Sequence, residues 1–262
     1  MRVPAAKKEL GQHFLVDDNI LGVIGRLAEL ASEDVALEVG PGLGVLTAYL
    51  AERVSFVHAV ELDRSLEGSL SDRLAGKDNI ALQFGDALRL DLAGLEPRPS
   101  KLVANLPYNV ATPLVLESLD GLPSIRLWCV MLQREVADRF FAEPSTKAYG
   151  AVSVLLQLAA ERTGFHPVSR SVFRPRPNVD SALVAFRRRR TEVADSATVK
   201  PIVTAAFAHR RKRLANSLEL SGIAPRDQAE AALAEIGRGP KTRAEELAPP
   251  EFVALAEALG HK

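Results

Sequence analysis

The sequence predicts an α/β fold, with a mostly parallel sheet carrying helices between its strands, followed by a small all-helical C-terminal domain. Three observations lead to this expectation. Apolar runs of strand length alternate with amphipathic segments of helix length through the first two thirds of the chain, the pattern of successive βα units. After the arginine run Arg187–Arg190 the texture changes to Ala- and Leu-rich segments with no strand candidate. The length, 262 residues, accommodates one α/β domain of about 180–200 residues plus a smaller appendage, each able to bury its own core. The expected domains are therefore 1–191 and 192–262.

Taken in order, the strand candidates are Val35–Val39, Phe56–Val60, Ile80–Gln83, Leu102–Ala104, Ile125–Leu132 and Leu183–Arg187, each a short apolar run. Helical segments are expected between them at Val45–Arg53, Arg64–Leu74, Pro113–Leu119, Arg134–Phe141 and Gly150–Ala160. Asp17-Asp18-Asn19 supplies a cap for a further helix, Ile20–Leu30, ahead of the first strand. Beyond the arginine run, helices are expected around 196–219, 226–236 and 250–259, separated by Gly237-Arg238-Gly239-Pro240 and Pro249-Pro250.

Lys plus Arg and Asp plus Glu are equal at 33 each, so total charge does not point to a nucleic acid. Its distribution does. From Arg162 to Arg190 there are eight Arg against the single acid Asp180, and His209-Arg210-Arg211-Lys212-Arg213 forms a second basic block. Local clusters attract phosphates even on a neutral chain, because attraction follows the nearby field. Cys129 is the only cysteine, which excludes an internal disulfide or a multi-cysteine zinc site and fits a reduced, cytoplasmic location. Residues Met1–Lys8 carry no long apolar run, and no stretch approaches the roughly 18 apolar residues a bilayer span requires, so neither an export signal nor membrane association is expected.

Leu37-Glu38-Val39-Gly40-Pro41-Gly42-Leu43-Gly44 places a glycine-rich turn between a strand and a helix, where backbone can approach a ligand closely. A dinucleotide fingerprint would set its third glycine at position 45, which is Val45, so NAD and FAD are disfavoured. Alone, the turn is a weak signal, and a tight loop without a ligand is the alternative. Two carboxylates sharpen the reading. Glu61 ends the second strand, where an acid accepts ribose hydroxyls, and Asp86 follows the third strand, where it can accept from an adenine amino group. Both fall at the carboxyl ends of consecutive strands, the rim where open α/β sheets bind ligands. A carboxylate-lined site without a phosphate-binding lysine suits a ligand bearing a sulfonium and an ammonium, namely S-adenosylmethionine. Glu38 either faces the amino-acid end of that ligand or is purely structural.

Asn105-Leu106-Pro107-Tyr108 follows the fourth strand. It resembles the (Asn/Asp/Ser)-x-Pro-(Tyr/Phe) motif of amino-methyltransferases, and with Asn109 it is similar to the ribosomal RNA adenine dimethyltransferase family. The resemblance runs through nearly the whole chain. It includes Gly11-Gln12-His13-Phe14-Leu15, the glycine turn, Val60-Glu61-Leu62-Asp63, Met131-Leu132-Gln133-Arg134-Glu135-Val136 and Ala148-Tyr149-Gly150. Phe173-Arg174-Pro175-Arg176-Pro177-Asn178-Val179-Asp180-Ser181-Ala182 and Phe207 with Arg210-Arg211-Lys212 complete it.

The resemblance implies a Rossmann-like class I methyltransferase domain that dimethylates the N6 amino groups of two adjacent adenines near the 3′ end of 16S ribosomal RNA. The substrate would be a small-subunit precursor particle and the enzyme a monomer. It further implies cofactor contacts at His13, Leu15, Gly40, Glu61, Asp86 and Asn105. His13 stands where many family members carry Asn, which leaves its contact open. A related family that methylates large-subunit RNA shares most of these motifs, but residues 105–109 and 148–150 look more like the small-subunit family. A DNA amino-methyltransferase and a non-catalytic assembly factor are weaker alternatives, the first lacking a base-reading domain and the second contradicted by the intact motif residues.

The chemistry explains the motif. An adenine amino group is a poor nucleophile because its lone pair is delocalised into the ring. If the Asn105 side-chain oxygen and the Leu106 carbonyl accept its two hydrogens, the lone pair can turn toward a sulfonium methyl. Pro107 biases Leu106 to an extended conformation, and Tyr108 can stack on the purine. Phe173 is the candidate for the opposite face of the base, with plain packing as the alternative. Arg174, Arg176, Arg210, Arg211 and Lys212 are candidate RNA contacts, the alternative for the second group being a solvated helix face or an ion-pair network.

Overall fold

The computed structural model describes residues 6–7, 10–108, 110–189 and 196–260. Asn109 and the domain boundary expected at 191–192 lie outside the described residues. Seven strands form the main sheet: β2 (Val35–Val39), β3 (Phe56–Glu61), β4 (Ile80–Phe84), β5 (Lys101–Asn105), β6 (Leu127–Gln133), β7 (Ala160–Val168) and β9 (Ser181–Arg188). Their spatial order is β4-β3-β2-β5-β6-β9-β7. The pairings among β2 to β6 are parallel, and β9 runs antiparallel to β6 with Ser181 opposite Gln133. A separate two-stranded ribbon pairs β1 (Phe14–Leu15) with β8 (Phe173–Arg174).

The central strands are apolar on both faces because helices cover both. All five residues of β2 are buried, as parallel strands require. Helices α1 (Asp18–Leu27) and α2 (Val45–Ala51) supply Ile20, Leu21, Ile24, Leu46 and Leu50 to the same core as Val57, Val103 and Leu183. Asp17 caps α1 by accepting from the Asn19 amide at 2.8 Å, satisfying one otherwise orphaned donor. Strand order reverses between β2 and β5, which leave the sheet in opposite lateral directions and open a crevice at their carboxyl ends. The glycine turn after Val39 and the motif beginning at Asn105 both start there.

Three strands were absent from the sequence reading. β7 contains Gly164 and Pro167 and only two fully buried residues, Ala160 and Val168. It is the last strand of the sheet, an edge position that tolerates a residue without a backbone donor. Gly164 lies close to the Leu27 side chain, which a Cβ there, 2.5 Å from Leu27 Cδ2, would displace. The ribbon strands, at two residues each, are too short to show a period.

The chain divides into two compact units. One comprises the residues up to Ala137 together with Arg162–Arg188; the other comprises Asp138–Glu161 and the residues from Arg189 onward. The helical unit therefore begins earlier in the chain than residue 192. After α3 (Glu67–Leu74), α4 (Ala111–Gly121) and α5 (Arg134–Phe140), the core of the helical unit is built by α6 (Ala151–Ala159), α7 (Ser196–Ala208), α8 (Leu214–Leu220), α9 (Arg226–Glu235) and α10 (Pro249–Ala258), through residues such as Val154, Val203, Leu218, Leu233, Phe252 and Leu255. Tyr149 is buried among them and its hydroxyl donates to the Leu247 carbonyl at 2.7 Å. The helix expected over 196–219 is two helices, and the basic block His209–Arg213 is the loop joining them. No helix among the described residues is long and apolar enough to cross a membrane.

Candidate cofactor and base pocket

One pocket gathers the glycine turn, the acidic strand ends and the Asn105–Tyr108 motif, and all of its lining falls within the sheet unit. The turn after β2 is made by glycines with positive φ: Gly40 at +76°, Gly42 at +59° and Gly44 at +73°, a region that penalises side chains. Space is tight for a side chain as well. A Cβ on Gly40 would lie 3.1 Å from Pro107 Cδ, and one on Gly42 would lie 3.0 Å from the Phe14 ring. Gly40 thus brings the backbone after β2 directly against the Asn105–Tyr108 motif.

Glu61 ends β3 with both carboxylate oxygens held by backbone. Oε2 accepts from the Gly42 amide at 3.0 Å and Oε1 from the Asp63 amide at 2.8 Å. Burial raises its pKa, and those two amides hold the rise down. Each oxygen keeps a further lone pair for a hydroxyl donor. Asp86 is more exposed; its Oδ1 accepts from the Leu88 amide at 3.0 Å and Oδ2 pairs with Arg89 at 3.4 Å.

Glu38 behaves differently. It is 1 % exposed and its Oε2 is buried with no hydrogen-bond partner, as is the neighbouring Thr47 Oγ1. Burial pushes its pKa up to about 8; nearby Thr47 relieves this only in part, and the charge of Glu61 adds to it. Among the described residues, three acids and no Lys or Arg line the pocket. Such a wall, with an orphaned carboxylate oxygen in it, fits a cationic ligand and is unsuited to a phosphate.

The N-terminal segment closes one side. His13 and Leu15 line the pocket, placed there by pairing of β1 with β8. His13 Nδ1 lies 2.8 Å from the Pro175 carbonyl; a carbonyl can only accept, so Nδ1 carries the hydrogen. Asn105 Nδ2 donates to the His13 carbonyl at 3.2 Å, which leaves Asn105 Oδ1 as the free acceptor of that amide. The Leu106 amide donates to Met131 O at 3.2 Å, anchoring the motif to β6. Tyr108 is partly buried, with its hydroxyl 2.9 Å from Ser181 Oγ.

Two outcomes were not legible in the sequence. Phe173 does not line the pocket: it is fully buried in the sheet unit's core, opposite Leu15 in the ribbon. The expected stacking role on the second face of the base is therefore corrected to packing. Conversely, Asp63 anchors the N-terminal segment, pairing with Lys7 Nζ at 2.7 Å and accepting from Gln12 Nε2 at 2.9 Å. Burial opposes its ionisation, but Lys7, Ser65 and Gln12 outweigh that and hold its carboxyl below the usual range. Gln12 and Asp63 stood inside quoted motifs, and their separation in sequence hid the contact.

Among the candidate RNA contacts, Arg174 ends β8 and Arg176 lies on the loop after it; both are exposed, and the Arg174 guanidinium also donates to the Phe173 carbonyl at 3.1 Å. Arg210 is occupied, donating to the Lys147 and Tyr149 carbonyls at 2.7 and 3.1 Å and pairing with Glu245 at 3.7 Å. Arg211 and Lys212 are exposed.

The comparisons agree with this geometry. The family model described as ribosomal RNA adenine dimethylase matches residues 3–260. A protein from Rubrobacter xylanophilus named ribosomal RNA small subunit methyltransferase A is 49% identical over 255 residues, covering 97% of this chain and 95% of that one. A protein of the same name from Lactiplantibacillus plantarum is 44% identical over 267 residues, covering 97% and 90%. Among solved structures, a dimethyladenosine transferase from Plasmodium falciparum shares the fold, with TM-score 0.78, 22% identity and coverage of 93% and 96%. The 23S ribosomal RNA methyltransferase ErmE has TM-score 0.70 and 30% identity, covering 94% and 99%. With an acid-lined pocket opening onto an Asn-Leu-Pro-Tyr motif, the chain belongs to the ribosomal RNA adenine dimethylase family, enzymes whose methyl donor is S-adenosylmethionine.

Proposed function

We propose that this chain dimethylates N6 of two adjacent adenines near the 3′ end of 16S ribosomal RNA, acting in the cytoplasm as a monomer on a small-subunit precursor particle. The observation that carries the reading is the meeting, at one strand-order reversal, of a cation-binding wall with an amide whose oxygen is turned free. The small-subunit assignment is supported by the greater identity to relatives named for that subunit, 49% against 30% for the 23S enzyme.

S-adenosylmethionine supplies an electrophilic methyl group on its sulfonium. Glu61 orients the ribose, Asp86 accepts from the adenine amino group, and Glu38 offers the counter-charge for the amino-acid end. Gly40 and Leu15 give that ligand backbone and apolar surface, and the His13 main chain steadies Asn105. Asn105 Oδ1 and the Leu106 carbonyl accept the two hydrogens of the target amine, Pro107 directs that carbonyl, and Tyr108 stacks on the base. Catalysis consists of in-line positioning in a site that excludes water. A target base must leave its stack to enter. Arg174, Arg176, Arg211 and Lys212 would hold the RNA through its phosphates, with Arg210 shaping the loop that presents the last two.

The test is nucleoside mass spectrometry on small-subunit particles lacking the modification, after incubation with the protein and cofactor. Dimethyladenosine in 16S RNA is expected. Methylation confined to 23S RNA, or none, would contradict the proposal.

A further inference from the structure

Tyr108 is assigned above to stack on the base, but the torsion that sets its ring plane is broad and two-fold, so rotamer preference alone leaves the plane undefined. Something outside the motif has to fix it. The phenol oxygen lies 2.9 Å from Ser181 Oγ. Ser181 is a rigid partner: it is fully buried, opens β9 and sits in register with Gln133 of β6. The preceding residue is pinned too, because the Asp180 carbonyl accepts from the Arg134 amide at 2.9 Å and its carboxylate accepts from the Arg170 amide at 3.1 Å. The same loop steadies the ring's neighbour, since Pro175 holds His13, whose ring centroid lies 5.6 Å from that of Tyr108 at an interplanar angle of 33°.

We propose that Ser181 is a positioning residue for methyl transfer, acting through the Tyr108 hydroxyl to fix the plane on which the target base stacks. The inference rests on the reading of Tyr108 as the stacking residue. It assigns the phenol oxygen to the scaffold, so that the ring face, and not the hydroxyl, meets the RNA. The cofactor end of the pocket is untouched by this bond, and the effect therefore belongs to the transfer step.

The experiment compares wild type, Ser181→Ala, Ser181→Thr, Tyr108→Phe and the Ala/Phe double variant, using single-turnover methyl transfer to unmethylated small-subunit particles, cofactor calorimetry and thermal melting. Losing one neutral hydrogen bond should slow transfer by about three- to tenfold. Cofactor Kd should stay within about twofold, and the double variant should be no slower than either single one, because both remove the same bond. Ser181→Thr should restore the rate. Multiplying effects in the double variant, or full-rate transfer by Tyr108→Phe, would overturn the proposal. If Ser181→Ala fails to fold, Tyr108→Phe still decides, since it keeps the ring and removes only the hydroxyl. A wild-type protein that methylates no RNA would instead overturn the functional reading on which the inference rests.

Discussion

The glycine-turn end of the pocket presents three carboxylates, Glu38, Glu61 and Asp86, whereas the Asn105–Tyr108 end presents an amide, backbone and a phenol without a formal charge. In the function proposed above, the first end selects its ligand by charge and the second acts by geometry on a neutral base. The carboxylates themselves differ in the same instructive way. Glu61 is locked by two backbone amides, so its direction is fixed before any ligand arrives. Glu38 Oε2 is buried without a hydrogen-bond partner, so its charge is costly until a cation enters or a proton binds.

The largest effect that could break this comparison is at the neutral end. Tyr108→Ala should slow methyl transfer by roughly a hundredfold or more, because misplacement of the reacting group is costly, while cofactor affinity stays within a few-fold. Glu61→Ala should do the reverse. It removes two charge-assisted hydrogen bonds to the ribose of about 1.5–3 kcal/mol each, so cofactor Kd measured by calorimetry should rise at least about tenfold.

Glu38 sharpens the comparison through pH. Its folded pKa, about 8, lies above the ordinary value of 4.5, so between those values the folded state holds a proton that the unfolded state has released. Stability therefore falls as pH rises from about 4.5 to 8, by an amount on the order of a few kcal/mol. Glu38→Gln should remove that slope in melting experiments and bring the variant above wild type at pH 8. An identical pH dependence in both proteins would show that Glu38 is ionised and paired in the folded state.

The smallest effects lie in the basic loop between α7 and α8. Replacing Arg211 and Lys212 by Ala should flatten the salt dependence of particle binding by about 1.4 log units per decade of salt, at about 0.7 per single-strand phosphate contact. Arg210→Ala should mainly lower the melting temperature, because its guanidinium holds the Lys147 and Tyr149 carbonyls. A slope change as large for Arg210→Ala as for the pair would return it to the RNA surface.

Legibility followed the locality of the physical signal. The strand β2, the turn at Gly40–Gly44 and the motif at Asn105 were readable because a buried apolar run, a positive-φ turn and an Asn-Leu-Pro-Tyr sequence are each encoded within a few residues. Glu61 and Asp86 were readable because strand ends converge on one rim. The rest depended on partners distant in sequence. Phe173 looked available until its pairing with Leu15 placed it in the core, and Asp63 gained its role only from Lys7 and Gln12. His209–Arg213 broke a helix that composition alone extended, and 138–161 joined the helical unit through buried packing of Tyr149 and Val154 that no local pattern marks.

The most direct test of the division between the two ends is one paired measurement: cofactor Kd by calorimetry and single-turnover transfer rate at saturating cofactor, for Glu61→Ala and Tyr108→Ala side by side. Glu61→Ala should bind cofactor at least about tenfold more weakly yet retain transfer within about tenfold of wild type once saturated. Tyr108→Ala should bind cofactor almost normally and transfer roughly a hundredfold more slowly. If both variants lose affinity and saturated rate together and in proportion, the pocket acts as a single unit and the separation of charge-based binding from geometric catalysis is wrong.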